Sequence, residues 1–273
     1  MESKAFHKGF LLLPIPQETG AAKKARYCMK KRLLSGLLLL AMLLTLLPTM
    51  ALADDVVDYY IDVNGIDVTS ENCTDVLKDG TVSYDPKTKT LTLKNADLSS
   101  IWAHGVDLTL KLVGTNTVSM NGDGEALIIA QGLTITGDGS LTVRNSYYSS
   151  IAIDLRNGAY IQKSGNVILH GSLLAMDRVT MLRLEGGSLK LEKGYNGFFD
   201  SNPSLELPEG GKLTLTFGGE PKTTKTWEGP ISAEDWETIK RKMTDAESVT
   251  MERPVEEDNH PSLAEGAILL AGD

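Results

Sequence analysis

The sequence is poor in the residues that crosslink small folds and in those that build many catalytic sites. It holds 2 cysteines and 4 histidines among 273 residues. Cys28 precedes a hydrophobic run discussed below, so Cys73 is the one cysteine of the segment that follows it, and an internal disulfide there is excluded. No phosphate-binding glycine-rich loop precedes a predicted helix. The fold must therefore be held by a packed core without covalent crosslinks.

Long hydrophobic runs are also scarce, and the one that stands out lies near the start of the sequence. Lys30-Lys31-Arg32 precede an apolar run over residues 33–47, and Ala51-Leu52-Ala53 follows it. A basic start, an apolar middle and a small-x-small end predict a secretory signal peptide over residues 29–53, cut after Ala53. Because Met29 stands directly before the lysines, residues 1–28 are interpreted as an upstream over-extension of the reading frame.

The alternative for this run is an uncleaved membrane anchor. Residues 33–50 number 18, which is the lower limit for a spanning helix. The small-x-small site favours cleavage. The mature protein is therefore expected to be secreted, extracellular or at the cell surface, with no membrane contact after cleavage.

Positive charge is in short supply in the predicted mature chain. The whole sequence has 27 Lys and Arg against 36 Asp and Glu, and residues 1–53 account for 8 and 2 of these. The remainder thus has 19 positive and 34 negative side chains, a net charge of −15. So acidic a chain would repel nucleic acid and anionic membrane surfaces, and neither is an expected partner. The charge could recruit divalent cations or serve solubility alone.

The stretch LTITGDGSLTV, Leu133 to Val143, contains two alternating segments joined by Gly137-Asp138-Gly139, as in a hairpin or in the corner of a larger coil. Its apolar pairs recur in three columns with one period of about two dozen residues. The first column is Leu91/Leu93, Val118/Met120, Leu141/Val143, Val167/Leu169, Leu189/Leu191 and Leu213/Leu215; the second is Leu112, Ile135, Ile161, Leu184 and Leu207; the third is Ile101, Ile128, Ile153, Met176 and Phe199.

Three columns in step predict an all-β fold, a right-handed parallel β-helix of about five rungs with three strands each. Stacked turns bury the apolar face that a single turn would leave exposed. In this fold Gly137-Asp138-Gly139 is a corner, and its equivalents are Gly114, Gly165, Gly186-Gly187 and Gly210-Gly211. Glycine suits such corners because a side chain would hinder the sharp bend.

The ends of the coil require caps, because open rungs expose unpaired strand edges. Asn64-Gly65 predicts a hairpin, and Asp85–Thr88 predicts a second turn. After the coil, ISAEDWETIKRKM predicts a helix with Ser232 as its N-cap. The expected organisation is a hairpin cap over 54–90, the β-helix over 91–217, a helical cap over 218–253 and an acidic disordered tail over 254–273.

Two phrases of the scaffold resemble a known family. GTVSYDPKTKTLTL, Gly80 to Leu93, and DLTLKLVGTNTV, Asp107 to Val118, are similar to segments of secreted Firmicutes proteins described as carbohydrate-binding-domain-containing. The resemblance covers roughly residues 60–217. That family includes a clostridial β-helix that binds pectin and holds calcium. The resemblance therefore implies a β-helix that binds a polysaccharide, with calcium as the one cofactor to consider.

The longest predicted corner, between the first and third columns, carries the candidate binding residues. Stacked by the coil, its side chains would form a strip with a spacing of about 4.8 Å per rung. Aromatic faces pack on sugar rings, and amides and imidazoles form hydrogen bonds with hydroxyls. The predicted carbohydrate-binding residues are Asn121, Asn145, Tyr147, Tyr148, His170 and Tyr195. The alternative is that the Asn side chains satisfy turn backbone and the Tyr rings cover the rung edge.

Two acidic residues of the same predicted corner are candidate metal ligands. Asp97 and Asp123 are expected in adjacent rungs, where they could share one calcium ion through hard oxygen ligands. The corner between the third and second columns carries mixed charge, including Arg156, Arg178 and Asp200, and predicts solvated ion pairs.

Catalysis finds little support in the sequence. Glycoside hydrolysis requires a carboxylate pair, and although Asp97 and Asp123 could form one, no further catalytic group is predicted beside them. The function predicted is therefore binding of a polysaccharide without cleavage, by a monomeric protein. A structural or adhesive surface module with a protein partner is the main alternative, and a polysaccharide lyase is a second one.

Overall fold

The computed structural model describes residues 35–39, 42, 55–120, 126–145, 147 and 149–253. The chain divides into two compact units, residues 1–54 and 55–273. In the first unit, residues 35–39 and 42 are helical. Within the described ranges, no helix combines the length and the apolar character needed to cross a membrane. The predicted over-extension 1–28, the predicted cleavage after Ala53 and the predicted tail 254–273 lie outside these ranges.

The second unit is a parallel β-solenoid of about four turns, which confirms the predicted fold class with fewer turns than the five expected. One sheet has eleven strands and contains two strand columns of the coil. Its members are β1 (Asp58–Val63), β2 (Ile66–Thr69), β3 (Val82–Asp85), β4 (Thr90–Lys94), β6 (Ile101–Ala103), β7 (Asp107–Val113), β9 (Ala126–Ile129), β10 (Gly132–Gly137), β12 (Ile151–Gln162), β14 (Leu174–Leu184) and β16 (Ser204–Glu206).

The other sheet has eight strands and forms the remaining side of the coil. Its members are β5 (Asp97–Leu98), β8 (Thr115–Met120), β11 (Ser140–Asn145), β13 (Asn166–Gly171), β15 (Gly187–Glu192), β17 (Lys212–Phe217), β18 (Thr223–Glu228) and β19 (Ala246–Arg253). The first is called the eleven-stranded sheet and the second the eight-stranded sheet below. Leu, Ile and Val side chains from both sheets meet between them as one buried core.

Gly137-Asp138-Gly139 is a corner, as predicted, and not a hairpin. β10 before it lies in the eleven-stranded sheet, and β11 after it lies in the eight-stranded sheet. The equivalent glycines stack on one another. Gly187 has φ +78°, and a Cβ at Gly187 would lie 2.0 Å from the carbonyl oxygen of Gly165. Backbone approaches backbone so closely here that only glycine fits.

The third predicted column is confirmed along its whole length. Ile128 pairs with Ile101 on one side and with Ile153 on the other. Ile153 pairs in turn with Met176, which forms a bridge to Phe199. Residues of the same kind therefore stack from rung to rung inside the coil, as the spacing predicted.

The first column is wrong at its start. Leu91 and Leu93 pair with Leu110 and Leu112 of β7, so β4 belongs to the second column of the eleven-stranded sheet. β4 and β7 are neighbouring strands of one column, and β5 is the first strand of the eight-stranded sheet. The alternating pattern alone could not distinguish the columns, because every strand of the coil has the same period of two.

The second pair of the first column, predicted as Val118 and Met120, also has a different register in the structure. Val143 lies beside Val118, and Leu141 lies beside Asn116, so Asn116 and not Met120 completes the inward pair. Asn116 is fully buried. Its amide accepts a hydrogen bond from the backbone N–H of Ala96 at 2.9 Å and donates to backbone carbonyls. These backbone partners make a polar side chain tolerable inside the coil.

The second column is confirmed at Ile135 and Leu184 and wrong at Leu112 and Ile161. Leu112 pairs with Gly137, and Leu110 lies beside Ile135 instead. Ile135 and Leu184 both pair with Gln162, which is buried, whereas Ile161 is half-buried on the outward side. The pairing of β12 with β14 shifts register between Asp154 and Gly158. Two residues of positive φ, Arg156 and Asn157, lie within this shift. The bulge changes which residues of β12 point inward.

A buried polar pair occupies the inward positions that this shift creates. The Tyr160 hydroxyl donates to Gln162 Oε1 at 2.8 Å. Gln162 Nε2 donates to the carbonyl oxygens of Gly165 and Ser188, each at 2.9 Å. Burial raises the pKa of Tyr160, so its hydroxyl stays protonated and remains a donor.

Replacing Gln162 by leucine is expected to destabilise the fold markedly. Leucine keeps a similar volume but leaves the buried Tyr160 hydroxyl and the carbonyl oxygens of Gly165 and Ser188 without this partner. At about 1–3 kcal/mol for a buried unsatisfied group, we expect a loss of roughly 2–4 kcal/mol in the free energy of unfolding, measured with urea. Gln131→Leu, on an exposed residue, is the matched control and should change stability little. Equal stability of both variants would contradict a structural role for the pair.

The predicted caps are present at both ends. β1 and β2 form a hairpin in which Val63 pairs with Ile66 across Asn64-Gly65, and β3 and β4 form a second antiparallel pair. At the other end, helix α1 (Ala233–Met243) begins after Ser232, whose Oγ accepts from the N–H of Asp235 at 3.1 Å.

The segment 218–253, predicted as a helical cap, also contains two strands. β18 pairs with β17, and β19 lies between β15 and β17, antiparallel to both. Met251 of β19 pairs with Leu189 on one side and with Leu213 on the other. Leu213 and Leu215 of β17 are therefore aligned with Leu189 and Leu191 of β15, as the first column predicted. The two strands are not neighbours, because β19 lies between them.

Candidate functional site

The corner that leads from the eight-stranded sheet back to the eleven-stranded sheet brings two tyrosines to the surface. We call it the long corner; its described residues are 145, 147, 149–150, 171–173 and 193–197, from three successive rungs. The Ser172 hydroxyl donates to the carbonyl oxygen of Tyr147, and the Ser172 carbonyl accepts from the N–H of Tyr195 at 2.7 Å. Ser172 thus lies between Tyr147 and Tyr195. Two rungs correspond to a separation of about 10 Å between the tyrosine backbones.

The two tyrosines differ in exposure. Tyr195 is 89% exposed, whereas Tyr147 is half-buried. Tyr148, the predicted neighbour of Tyr147, and Asn121, predicted one rung earlier, lie outside the described residues. Two of the predicted aromatic residues therefore share one surface corner, as the sequence suggested, with a serine between them.

Asn145 is not on the surface of the corner, contrary to the prediction. Its side chain is fully buried, and its Oδ1 accepts from the N–H of Tyr147 at 2.9 Å. This is the alternative considered for such residues, in which an Asn side chain satisfies turn backbone. Asn145 positions Tyr147 and does not contact solvent.

The corner around Tyr147 and Tyr195 is held by short contacts to the coil. Ser150 Oγ lies 3.1 Å from Ser172 Oγ and donates to the carbonyl oxygen of Asn145. A Cβ at Gly194 would lie 2.4 Å from the carbonyl oxygen of Leu173. The corner is thus closely packed backbone against backbone, and this holds the tyrosines at defined positions.

The sequence predicted His170 within the turn of the corner. It lies instead on β13, at the edge of the corner. It stands between Arg144 and Glu192 in the parallel ladder of the eight-stranded sheet. His170 Nδ1 lies 3.1 Å from Glu192 Oε2, although it makes no aligned hydrogen bond among the described residues. Arg144 and Lys190 reach the same carboxylate at 3.4 and 3.0 Å. The chain leads directly from this ladder into the tyrosine corner.

The charge of Glu192 is stabilised by its neighbours. Partial burial by itself would raise the pKa of this carboxyl. Lys190, Arg144 and His170 together outweigh the burial and hold the pKa below its usual range. Glu192 is therefore an ionised acceptor at neutral pH and no proton donor.

A cleft of about 370 Å³ opens beside Tyr195, between the long corner and α1. One wall comes from the corner and the residues directly after it and includes Tyr195 and Phe198, and the other comes from α1 and includes Lys240 and Met243. Its full lining is Lys193, Tyr195, Asn196, Gly197, Phe198, Phe199, Ser201, Lys240, Met243 and Thr244. Sequence reasoning missed this cleft because its walls are about 40 residues apart in the chain, and no local pattern reports their contact.

The predicted placement of Asp97, a candidate metal ligand, in the long corner is wrong. Asp97 begins β5 and lies in the eight-stranded sheet beside Thr117, whose hydroxyl donates to it. The error follows from the first column, since assigning Leu91/Leu93 to that column moved Asp97 into the long corner. Asp123 lies outside the described residues. Within the described ranges, no three Asp, Glu, His or Cys residues are grouped so that they could hold a metal ion.

The corner of mixed charge is more buried than predicted. Asp154 is 3% exposed, and it accepts from Arg178 Nε at 2.9 Å and from the N–H of Arg156 at 3.0 Å. Burial raises the pKa of Asp177, and Asp154 and Asp200 nearby add to that shift. The contact between Asp154 and Arg178 joins β12 to β14 of the next rung, which indicates a structural role.

The fold and this surface define a parallel β-solenoid with an aromatic, hydroxyl-bearing corner and an adjoining cleft. No protein-family model, no curated protein and no solved structure shows significant similarity to the chain. The resemblance to the Firmicutes carbohydrate-binding family therefore stays a prediction from the sequence phrases alone.

Proposed function

We propose that the protein binds a polysaccharide at the long corner and does not cleave it. The observation that carries the proposal is the pair Tyr147 and Tyr195, placed two rungs apart on one corner with Ser172 between them. Aromatic faces offer CH packing to sugar rings, and tyrosine hydroxyls can donate and accept with sugar hydroxyls. A solenoid repeats these groups along its axis, as an extended chain of sugars requires.

The charges beside the corner support binding over cleavage. A glycosidase of the usual kind needs a protonated carboxyl with a raised pKa and a second carboxylate a few ångströms from it. Glu192 has the opposite property, because its cationic neighbours lower its pKa. An ionised carboxylate surrounded by Arg144, Lys190 and His170 is suited to accept hydrogen bonds from sugar hydroxyls.

The test is a glycan array followed by a paired tyrosine variant. Tyr147→Ala combined with Tyr195→Ala should weaken binding to the selected glycan at least tenfold, because loss of an aromatic contact costs about 1–3 kcal/mol. The melting temperature should stay nearly unchanged. Tyr60→Ala, on an exposed tyrosine of the N-terminal hairpin, is the control and should bind like the parent.

Other outcomes separate the alternative functions. Assays for new reducing ends and for unsaturated products run on the same samples would detect cleavage, and product release would favour a lyase or hydrolase. Failure to bind any glycan would contradict the proposal and favour a surface module with a protein partner. If the tyrosine variant binds as well as the parent, the long corner is scaffold and glycan binding must be sought elsewhere.

A further inference from the structure

We propose that the cleft between the long corner and α1 holds the terminal sugar of a glycan, so that the protein recognises chain ends and not chain interiors. This inference rests on the proposed function and specifies which part of the polysaccharide is bound. Its starting point is that Tyr195 belongs both to the tyrosine corner and to the lining of the cleft. A glycan that follows the corner toward the C-terminal end of the coil therefore enters the cleft.

The far wall of the cleft is a helix and closes the path. Lys240, Met243 and Thr244, which line that wall, belong to the last turn of α1 and its C-cap. A chain interior has sugars on both sides of any bound unit and would need an exit beyond Tyr195. The end of α1 lies against the rung of Tyr195, because the Lys193 ammonium group donates to the carbonyl oxygen of Thr244 and the Lys193 N–H donates to that of Glu247. A glycan end therefore fits the cleft, and a continuing chain would meet the helix.

The wall is firmly attached to the coil. Trp236, Ile239 and Met243 bury one face of α1, and Trp236 Nε1 donates to the carbonyl oxygen of Pro203 at 2.7 Å. On the other side, the Lys193 ammonium group donates to the carbonyl oxygen of Thr244, which joins the corner to the end of the helix. Binding would not displace a helix held by these contacts, so the closed end is a fixed property of the site.

The size and chemistry of the cleft fit one or two sugar rings. Its volume of about 370 Å³ is at the lower end of the range for small-molecule sites. Phe199, which is half-buried, supplies apolar surface for the ring CH groups, whereas Phe198 and Met243 are buried and expose little area to the cleft. Asn196 and Ser201 supply polar atoms for hydroxyls. Lys240 is already oriented, since its Nζ lies 2.6 Å from Glu237 Oε1 and 5.7 Å from the Trp236 ring centre.

The experiment counts binding sites per gram of glycan. The polysaccharide selected on the array is shortened by partial acid hydrolysis, and the protein bound at saturation is measured at equal glycan mass. If ends are bound, tenfold shorter chains should bind about tenfold more protein per gram with the same Kd for each site. Capacity per gram that stays constant as the chains shorten would overturn the inference while leaving glycan binding intact.

Two further arms sharpen the result. Reduction of the reducing ends to alditols should abolish binding if that end is held and leave it unchanged if the non-reducing end is held. Thr244→Trp, on an exposed residue that lines the cleft, should weaken binding at least tenfold, whereas Asp245→Trp, on the exposed next residue outside the lining, should not. Unchanged binding by Thr244→Trp would overturn the inference. Absence of any glycan binding would instead remove the proposed function, and this inference with it.

Discussion

Replacing Ile135 by aspartate is expected to prevent the solenoid from folding. Ile135 is fully buried in β10, with Leu110 on one side and Gln162 on the other in the neighbouring rungs. A carboxylate there would lose its hydration without gaining a partner, which costs several kcal/mol. Losses above about 4–5 kcal/mol approach the whole stability of many domains. Circular dichroism should show loss of the strand signal, and the material should aggregate.

Two aspartate controls make this test specific. Thr134→Asp, next to Ile135 but on the outward side of β10, should fold normally. Ile161→Asp should also fold, although the spacing of apolar residues placed Ile161 inside, because the bulge in β12 turns it outward. An Ile161→Asp variant as unstable as Ile135→Asp would contradict the observed register of β12.

Ending the chain after Asp245 is expected to unfold the C-terminal turns of the solenoid, since this removes β19. β19 contributes Val249 and Met251, both fully buried, worth roughly 3–6 kcal/mol in apolar burial alone. β19 now pairs with β15 on one side and with β17 on the other. Its loss would leave one unpaired edge on each of these two strands. Thermal melting should show a sharp drop in stability or no cooperative transition.

A chain that ends after Arg253 is the matched control, because it keeps all of β19. It should melt like the parent. If the chain that ends after Asp245 also melts like the parent, β15 and β17 must be able to pair without the inserted strand, and the strand order described above would be wrong in solution.

The features that the sequence predicted well are those encoded by neighbouring residues. Asn64-Gly65 gave a hairpin because this dipeptide adopts the positive φ values that a tight turn needs. The helix over Ala233–Met243 followed from Ser232 as N-cap and from the spacing of its buried face. The column from Ile101 to Phe199 followed from the spacing of its apolar residues, which is repeated in each successive rung.

The errors arise where a polar residue points inward or where two distant segments meet. Asn116 and Gln162 lie in the core, and an alternating apolar pattern reads such residues as outward. Their burial depends on backbone carbonyls and N–H groups of other rungs, at distances in the chain that no local pattern contains. The same reason explains why β19 and its position between β15 and β17 were missed.

The candidate site divides in the same way. By itself, the sequence determined that Tyr147 and Tyr195 would stand on the same corner of a solenoid, because a fixed period brings equivalent positions into one line. Only the tertiary structure decided that Asn145 is buried beneath that corner, that His170 belongs to a charged ladder with Glu192, and that α1 forms a cleft beside Tyr195. A repeat specifies positions along the coil, whereas burial, ion pairs and clefts depend on how segments far apart in the chain pack together.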